Sequence, residues 1–489
     1  MQLIDVFPFV PILFGLLMLL VPRGNQWVRI VPILGAVVTF GMSLGFALGF
    51  FALGETSTTS SVHAWITGPW TAAYHVRVDA ISIFFVLLTT FVSVPAIWAA
   101  WSYRDAARQR GFLFLLLAFE STLLGLFTAA DLLVFYVYWD LMLIPVFLIL
   151  VGYAGTAEAR RAAWSYLIYN GAGGLVLLLG VVGLVASTHT FEVLGHAWKL
   201  DPTAAWWIFG AFAFAFLVKT PAFPFHAWMP PTYTESPPPL VAMVSGIQSK
   251  AGLYGFIAFA LPLFPDAAHA WAPAMLVLGL VSILYGAITA LAQDDMKTLV
   301  AYSSLSHLGL VLLALFAFDV TSLPASIVMI VSHGLVSAAL FILLGFIEER
   351  VRTRDIRSFG GLAARAPRLQ ALLLVAAMAA LGLPGLSGFA GEFLILIGTW
   401  QTQPVITALS LIAIVIASAY VLRVFQGAMH GPERAPADAA PAELRPREML
   451  IVAPLLAAII LLGVWPGSVT SRLNHTAPAV HRTAEVPHA

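Results

Sequence analysis

Long apolar segments alternate with short polar loops along the whole chain of 489 residues. A helix that crosses a lipid bilayer requires about 20 consecutive, mainly apolar residues. Segments of this length predict an all-α polytopic membrane protein with about 14 transmembrane helices, and the first lacks the basic start and cleavage site of a signal peptide. The predicted spans cover residues 2–22, 28–51, 78–102, 111–129, 132–153, 162–186, 204–230, 238–262, 272–293, 298–318, 322–347, 369–400, 404–428 and 449–468.

Two of these spans are broken. Span seven contains Lys219 followed closely by Pro221, and span twelve contains LPGLSGFAGE at residues 383–392. Proline removes a backbone donor and opens a membrane helix. Because the breaks lie five spans apart, each beside a charge, we predict two inverted repeats of five helices, an arrangement that marks ion or substrate pathways in transporters. The predicted domains are 1–110 with spans one to three, 111–262 with spans four to eight, 272–428 with spans nine to thirteen, and 449–489 with span fourteen and a C-terminal tail.

Composition excludes several classes of protein. The chain is 60% hydrophobic and 10% charged, with a net charge of zero, so it has no electrostatic basis for binding nucleic acid. It contains no cysteine, which excludes disulfides, cysteine-bound iron–sulfur clusters and thiolate metal sites. We expect no metal site, since no close set of histidine or carboxylate ligands is present.

Basic residues are distributed unequally between the two predicted sides of the membrane. Counting Arg29 at the start of span two with the preceding loop, the loops after odd-numbered spans hold 17 of the 24 Lys and Arg residues, the opposite side holds four, and three lie within spans. Loops rich in Lys and Arg face the cytoplasm. We therefore predict a multi-pass protein of the cell (inner) membrane with both termini on the non-cytoplasmic side. The charged, proline-rich run 431–448 is predicted to be a cytoplasmic linker or a short surface helix.

Three titratable residues in predicted spans five, seven and eight stand out because they lie at hydrocarbon depth. A charge at the centre of a bilayer costs between about 3 and more than 10 kcal/mol. Lys219 ends the unbroken part of span seven, Lys250 lies in the middle of span eight, and Asp140 lies well inside span five. A lysine whose carboxylate partner comes and goes can change its protonation state, as a proton relay requires. The alternatives are a lysine that snorkels to the interface and a static ion pair.

Further titratable residues lie within later or neighbouring spans. Glu392 follows the break in span twelve and is a candidate terminal proton site, or else a cap of the second half-helix. His307 and His333 lie in adjacent spans and could pass protons, although a single buried histidine is more often structural. Glu120 is a further candidate in span four, and Asp131 is expected to cap span five.

Six segments of the sequence carry a family resemblance. They are VDAISIFFVLLTTF, LLGLFTAADLLVFYVYWDLMLIPVFL, LVKTPAFPFHAWMP, QDDMKTLVAYSSLSHLGLV, VSHGLVSAALF and LGLPGLSGFAGEFLIL. Together they resemble the antiporter-like membrane subunits of respiratory complex I, in particular the subunit M type, also called chain 4. The resemblance covers about residues 75–430. The subunit L type carries a long lateral helix after its last span, whereas this chain ends soon after span fourteen.

The resemblance implies a role for each buried charge. In that family a proton is thought to move through two linked half-channels. An acid on helix five pairs with a lysine on helix seven, a lysine on helix eight passes the proton on, and a residue on helix twelve releases it. Matched residue by residue, these positions are Asp140, Lys219, Lys250 and Glu392, with the helix-ten and helix-eleven histidines at His307 and His333.

The sequence departs from the family pattern in three places. The helix-five acid is usually glutamate, and Asp140 is one methylene shorter. The usual LPDAHxEAPT after the broken helix is MPPTYTESPPP here, so that Pro231 and Tyr233 replace an aspartate and a histidine. The arginine that usually follows in helix eight is missing from YGFIAF. These changes predict a divergent member, such as a second copy or part of a variant complex.

The resemblance implies a proton-translocating, non-redox subunit of an NADH:quinone oxidoreductase. We expect no cofactor in this chain, and FMN, iron–sulfur clusters and quinone in partner subunits. The expected partners are the other membrane and peripheral subunits, the lipid bilayer and protons, and no nucleic acid. Alternative functions are a multi-subunit Na⁺/H⁺ antiporter subunit, a subunit of a proton-pumping hydrogenase-like complex, and a purely structural membrane anchor with static charge pairs.

Overall fold

Helices form most of the computed structural model. The structure describes residues 2–22, 24–53, 58–102, 108–192, 200–358, 360–432 and 443–473. In this part of the chain, 13 helices are long and apolar enough to cross a membrane. The predicted span twelve is not among them, because it consists of two shorter helices, Pro367–Ala380 and Ser387–Thr402. The predicted polytopic helical fold is thereby confirmed.

The fold divides into two compact units. The first unit comprises residues 1–220, 247–273 and 472–489, and the second comprises residues 221–246 and 274–471. The boundaries of the predicted inverted repeats are not tested by this division and stay a prediction.

The first unit includes the helices that carry Asp140 and Lys219. Its helices are Leu3–Val6, Phe7–Phe9, Val10–Leu20, Trp27–Leu53, Ser82–Ala99, Ala100–Ser102, Gln109–Thr128, Leu132–Leu141, Leu143–Tyr153, Ala157–Thr188, Pro202–Lys219, Gln248–Lys250, Ala251–Gly255, Phe256–Ala260 and Leu261–Leu263. The second unit contains Met229–Glu235, Pro238–Gly246, Met296–Phe316, Ser322–Val351, Ile356–Ser358, Leu362–Arg365, Pro367–Ala380, Ser387–Thr402, Pro404–Met429 and Pro446–Val464. Two further helices, Pro265–Leu291 and Gly467–Leu473, cross the division.

Polar side chains at the helix starts fix where several spans begin. Asp131 accepts hydrogen bonds from the backbone N–H groups of Leu133 and Val134 at 2.8 and 3.3 Å. Thr156 caps the helix Ala157–Thr188 through Ala159 N–H at 3.0 Å. Such caps satisfy amides that have no partner within the helix. The expected capping role of Asp131 is confirmed.

A β-hairpin is present that the apolar pattern did not predict. Strands Thr59–Ile66 and Ala72–Val78 pair antiparallel, with Thr59 opposite Val78. The second strand ends at Val78, the first residue of the predicted span 78–102, and the helix of that span begins only at Ser82. The segment is rich in β-branched and aromatic residues and contains Gly68-Pro69, which are signals of strand and turn.

Parts of two predictions lie outside the described residues. Residues 433–442 belong to the predicted cytoplasmic linker, and residues 474–489 belong to the predicted C-terminal tail. The last predicted span is present as the helix Pro446–Val464.

Candidate proton-translocation site

Lys219 is the last residue of the helix Pro202–Lys219 and is 1% exposed. Its Nζ finds no hydrogen-bond partner in the described part of the chain. It lies 4.6 Å from the centre of the Trp139 ring, within the range of a cation–π contact. The aromatic face supports the ammonium group electrostatically without supplying an acceptor, so this lysine is buried and incompletely solvated.

Asp140 lies beside Lys219 without a direct ion pair between them. The two side chains attract each other electrostatically, yet no ion pair joins them within the described residues. The Tyr136 hydroxyl, one helical turn earlier, donates to the Asp140 carboxylate. Asp140 Oδ1 is buried and accepts no hydrogen bond from the described residues. The two side chains are therefore near enough to attract each other electrostatically, but they do not form an ion pair.

A local irregularity follows Asp140 directly. The helix Leu132–Leu141 ends and the helix Leu143–Tyr153 begins after Met142. Pro145 has no N–H to donate to the carbonyl of Leu141, so the regular hydrogen-bond ladder is interrupted here. The sequence predicted one continuous span in this region, and the proline explains the interruption.

Lys250 lies in the first unit and is fully buried. It ends the short 3₁₀ segment Gln248–Lys250 and donates to Ser249 Oγ at 3.2 Å. The predicted span eight is therefore irregular at the lysine, and a π-helical turn, Phe256–Ala260, follows. Irregular turns within membrane helices are frequent at functional sites.

Close helix packing places the Lys250 segment against the end of the Lys219 helix. A β-carbon on Gly252 would collide with the carbonyl oxygen of Phe216 and the hydroxyl of Thr220. Only glycine permits this approach of the two backbones. Lys250 and Lys219 are thereby held in neighbouring elements of one unit.

The second unit brings together three of the predicted residues. His307 lies on Met296–Phe316, His333 on Ser322–Val351 and Glu392 on Ser387–Thr402. His307 Nε2 lies 3.2 Å from Glu392 Oε1, and the two imidazole centres are 5.6 Å apart. Glu392 therefore contacts a histidine and does not cap its helix, because that helix starts at Ser387 with no side-chain cap.

Two small cavities adjoin the contact between His307 and Glu392. One has a volume of about 20 Å³ and is also lined by His333, Ser332 and Ser337. The other has a volume of about 10 Å³ and is also lined by Ser306 and Ser410. A water molecule requires about 10–15 Å³ and polar partners. Both cavities are about the size that one water occupies, and both are lined by His307 and Glu392.

The remaining predicted residue, Glu120, lies apart from these contacts. It is fully buried on the helix Gln109–Thr128, and neither of its carboxylate oxygens has a hydrogen-bond partner in the described part of the chain. It forms no hydrogen bond or ion pair with Asp140 or Lys219 in the described part of the chain. Within the same residues no group of three or more histidine or acidic side chains is placed to hold a metal ion.

Sequence reasoning missed two residues that touch the predicted site. Trp139 provides the aromatic face for Lys219, and Tyr136 donates to Asp140. Tyr136 precedes Asp140 by four positions, the spacing at which side chains meet on one face of a helix, so its role had a detectable signal. The contact between Trp139 and Lys219 joins different helices and had no local signal.

The fold and the buried charges define a class of membrane protein that moves ions, since ionisable groups at helix breaks mark such pathways. Residues 129–417 match the family model described as NADH:quinone oxidoreductase/Mrp antiporter, TM. The chain is 33% identical to NADH-quinone oxidoreductase subunit M of Rhodobacter capsulatus over 511 residues, which cover 100% of this chain and 97% of that protein. It is 34% identical to the Escherichia coli K12 subunit M over 456 residues, 88% of this chain and 89% of that protein. The chain belongs to the NADH-quinone oxidoreductase subunit M family.

Solved structures show the same fold. A chain of respiratory complex I from Thermus thermophilus with bound NADH matches with a TM-score of 0.88 and 33% identity, covering 98% of this chain and 99% of that chain. A chain of the Mrp complex from Dietzia sp. DQ12-45-1b matches with a TM-score of 0.87 and 20% identity, covering 99% and 98%. The second likeness concerns the fold alone. The family predicted from the sequence is confirmed.

Proposed function

We propose that this chain is a proton-translocating, non-redox membrane subunit of an NADH:quinone oxidoreductase. The observation that carries the proposal is Lys219, buried, without a hydrogen-bond partner in the described residues, and close to Asp140 without an ion pair. A static structural pair would be expected to satisfy both groups, because an unpaired buried charge is costly. The separated pair instead supports a lysine whose proton can be gained and lost.

The proposed mechanism assigns the driving force to partner subunits. Electron transfer there changes the separation between Asp140 and Lys219. Closer approach of the carboxylate favours the ammonium form of Lys219, and withdrawal favours release of its proton. Lys250, in the adjoining element, is the proposed next acceptor. FMN, iron–sulfur clusters and quinone are proposed for the partner subunits, and this chain contains no cysteine to bind a cluster.

The second unit supplies a further proposed proton site at His307, His333 and Glu392. A histidine and a carboxylate in contact can hold one proton between them, and the adjoining cavities are large enough for water to deliver or remove it. We propose that both chain termini face the non-cytoplasmic side, which places the loops rich in Lys and Arg in the cytoplasm.

Purification with its native partners tests this assignment. The tagged chain, solubilised from its own membranes in mild detergent, should retain flavin and iron–sulfur absorbance and should oxidise NADH with a quinone. Reconstituted vesicles should then move protons in medium with choline in place of Na⁺. Isolation without redox subunits, or proton movement that requires Na⁺, would instead assign the chain to a cation/proton antiporter. Nickel in the purified complex would indicate a hydrogenase-like complex.

A further inference from the structure

The helix Ala157–Thr188 passes Asp140 at a glycine. A β-carbon placed on Gly174 would collide with Asp140 Oδ1 and would lie 3.1 Å from its Cγ and 3.2 Å from its Oδ2. The carboxylate of Asp140 therefore occupies the volume that the β-carbon of any other amino acid would require. We call this space, between the Cα of Gly174 and the helix of Asp140, the glycine notch.

The collision is specific to this position of the helix. At Gly171, one turn earlier, a β-carbon would meet no atom within 4 Å. At Gly173 it would lie 3.3 Å from Val218, the residue before Lys219. The helix therefore packs closely against both Asp140 and the end of the Lys219 helix, and of these three glycines it is Gly174 that faces the carboxylate.

The notch itself holds Asp140 Oδ1 by shape and not by a strong hydrogen bond, while the Tyr136 hydroxyl donates to the carboxylate from the helix of Asp140. Asp140 Oδ1 is buried and accepts no hydrogen bond from the described residues, so a Cα–H group, a weak donor, is the contact that Gly174 can offer it. Leaving the notch therefore breaks no strong interaction with the helix of Gly174, and the hydrogen bond from Tyr136 is made within the helix of Asp140 itself.

We infer that Gly174 is a positioning residue that seats the Asp140 carboxylate apart from Lys219, an inference that rests on the proposed function. With the carboxylate in the notch, the pair is separated; when the carboxylate leaves the notch, the pair can close. The two positions supply the change in charge separation that proton release from Lys219 requires.

In the second unit, too, a buried carboxylate lies against a glycine. A β-carbon on Gly382 would lie 2.5 Å from Glu392 Oε2, while Oε1 of the same carboxylate contacts His307. Gly382 also has φ of +78°, a conformation that strains other residues. Gly174 is therefore the better position for a test.

The test compares Gly174→Ala with Gly171→Ala in the intact complex. The same methyl group is added to the same helix, once in the notch and once in open space. The flexible carboxylate can move away, so Gly174→Ala should assemble normally but lower the protons moved per NADH oxidised at least threefold, whereas Gly171→Ala should leave the ratio unchanged. An unchanged ratio in an assembled Gly174→Ala complex would overturn the inference.

A second variant covers failed assembly. If Gly174→Ala does not assemble, Gly174→Ala combined with Asp140→Ala removes the colliding carboxylate and should restore the amount of complex. Continued failure would show that the methyl group collides elsewhere and would overturn the inference. Asp140→Asn and Lys219→Met separate this inference from the proposed function: if neither lowers pumping, the function fails, and if both do while Gly174→Ala does not, only the positioning role fails.

Discussion

Replacing Glu392 by glutamine removes one charge from the contact with His307 while it keeps the size of the side chain. The Nε2–Oε1 distance is 3.2 Å, and the two side chains are only 11% and 9% exposed. With an effective dielectric constant of about 20, unit charges at this distance attract by about 5 kcal/mol, whereas a neutral hydrogen bond contributes about 1 kcal/mol. Desolvation of the buried pair offsets part of this attraction, but the substitution still removes the charge that faces His307 and leaves a neutral amide in its place.

The consequence is measurable as protons moved per NADH oxidised in membrane vesicles. Glu392→Gln and His307→Gln should each lower this ratio strongly, and the double variant should lower it no further, because the two residues hold one proton together. Glu158→Gln, at an exposed carboxylate in the first unit, is the matched control and should pump normally. Additive losses in the double variant, or normal pumping by Glu392→Gln, would refute a shared proton site.

Two further predictions concern contacts in the first unit. Trp139→Leu removes the ring that lies 4.6 Å from Lys219 Nζ. It should lower pumping about 5- to 30-fold, which is the equivalent of a desolvated cation–π contact of about 1–2 kcal/mol, whereas Trp139→Phe should keep most of the activity. Equal effects of the two variants, each normalised to the amount of assembled complex, would argue against the contact. Gly252→Ala introduces a methyl group against the carbonyl of Phe216 and should destabilise the folded chain by about 1–3 kcal/mol, measured as a smaller amount of intact complex after heating. Gly152→Ala, whose β-carbon meets no atom within 4 Å, should not have this effect. Equal heat resistance of the two variants would contradict the close packing at Gly252.

The spans could be predicted because burial in lipid imposes a length and a composition on each helix. The same criterion overlooked the hairpin Thr59–Ile66 and Ala72–Val78, since strands of 8 and 7 residues leave no signal at the length of a span. It also treated the Lys250 region as regular helix. The 3₁₀ and π turns there depend on how Gly252 packs against another helix, which apolar length does not report.

The site residues could be predicted individually, because a charge inside an apolar span is costly and therefore conspicuous. Their partners depend on packing between helices that are distant in sequence. The contact between His307 and Glu392 and the placement of Asp140 against Gly174 are of this kind. The family resemblance supplied the expected pairing of Asp140 with Lys219, and the structure adds that the two lie close without an ion pair.

Lys219→Met provides the most direct test of the proposed proton path, because methionine retains much of the side-chain volume and loses the charge. Protons moved and NADH oxidised are measured in the same vesicles containing the assembled complex, with the unsubstituted protein as reference. We predict that the number of protons moved per NADH falls sharply while the complex remains assembled. An assembled Lys219→Met complex that moves as many protons per NADH as the unsubstituted complex would contradict a proton path through Lys219.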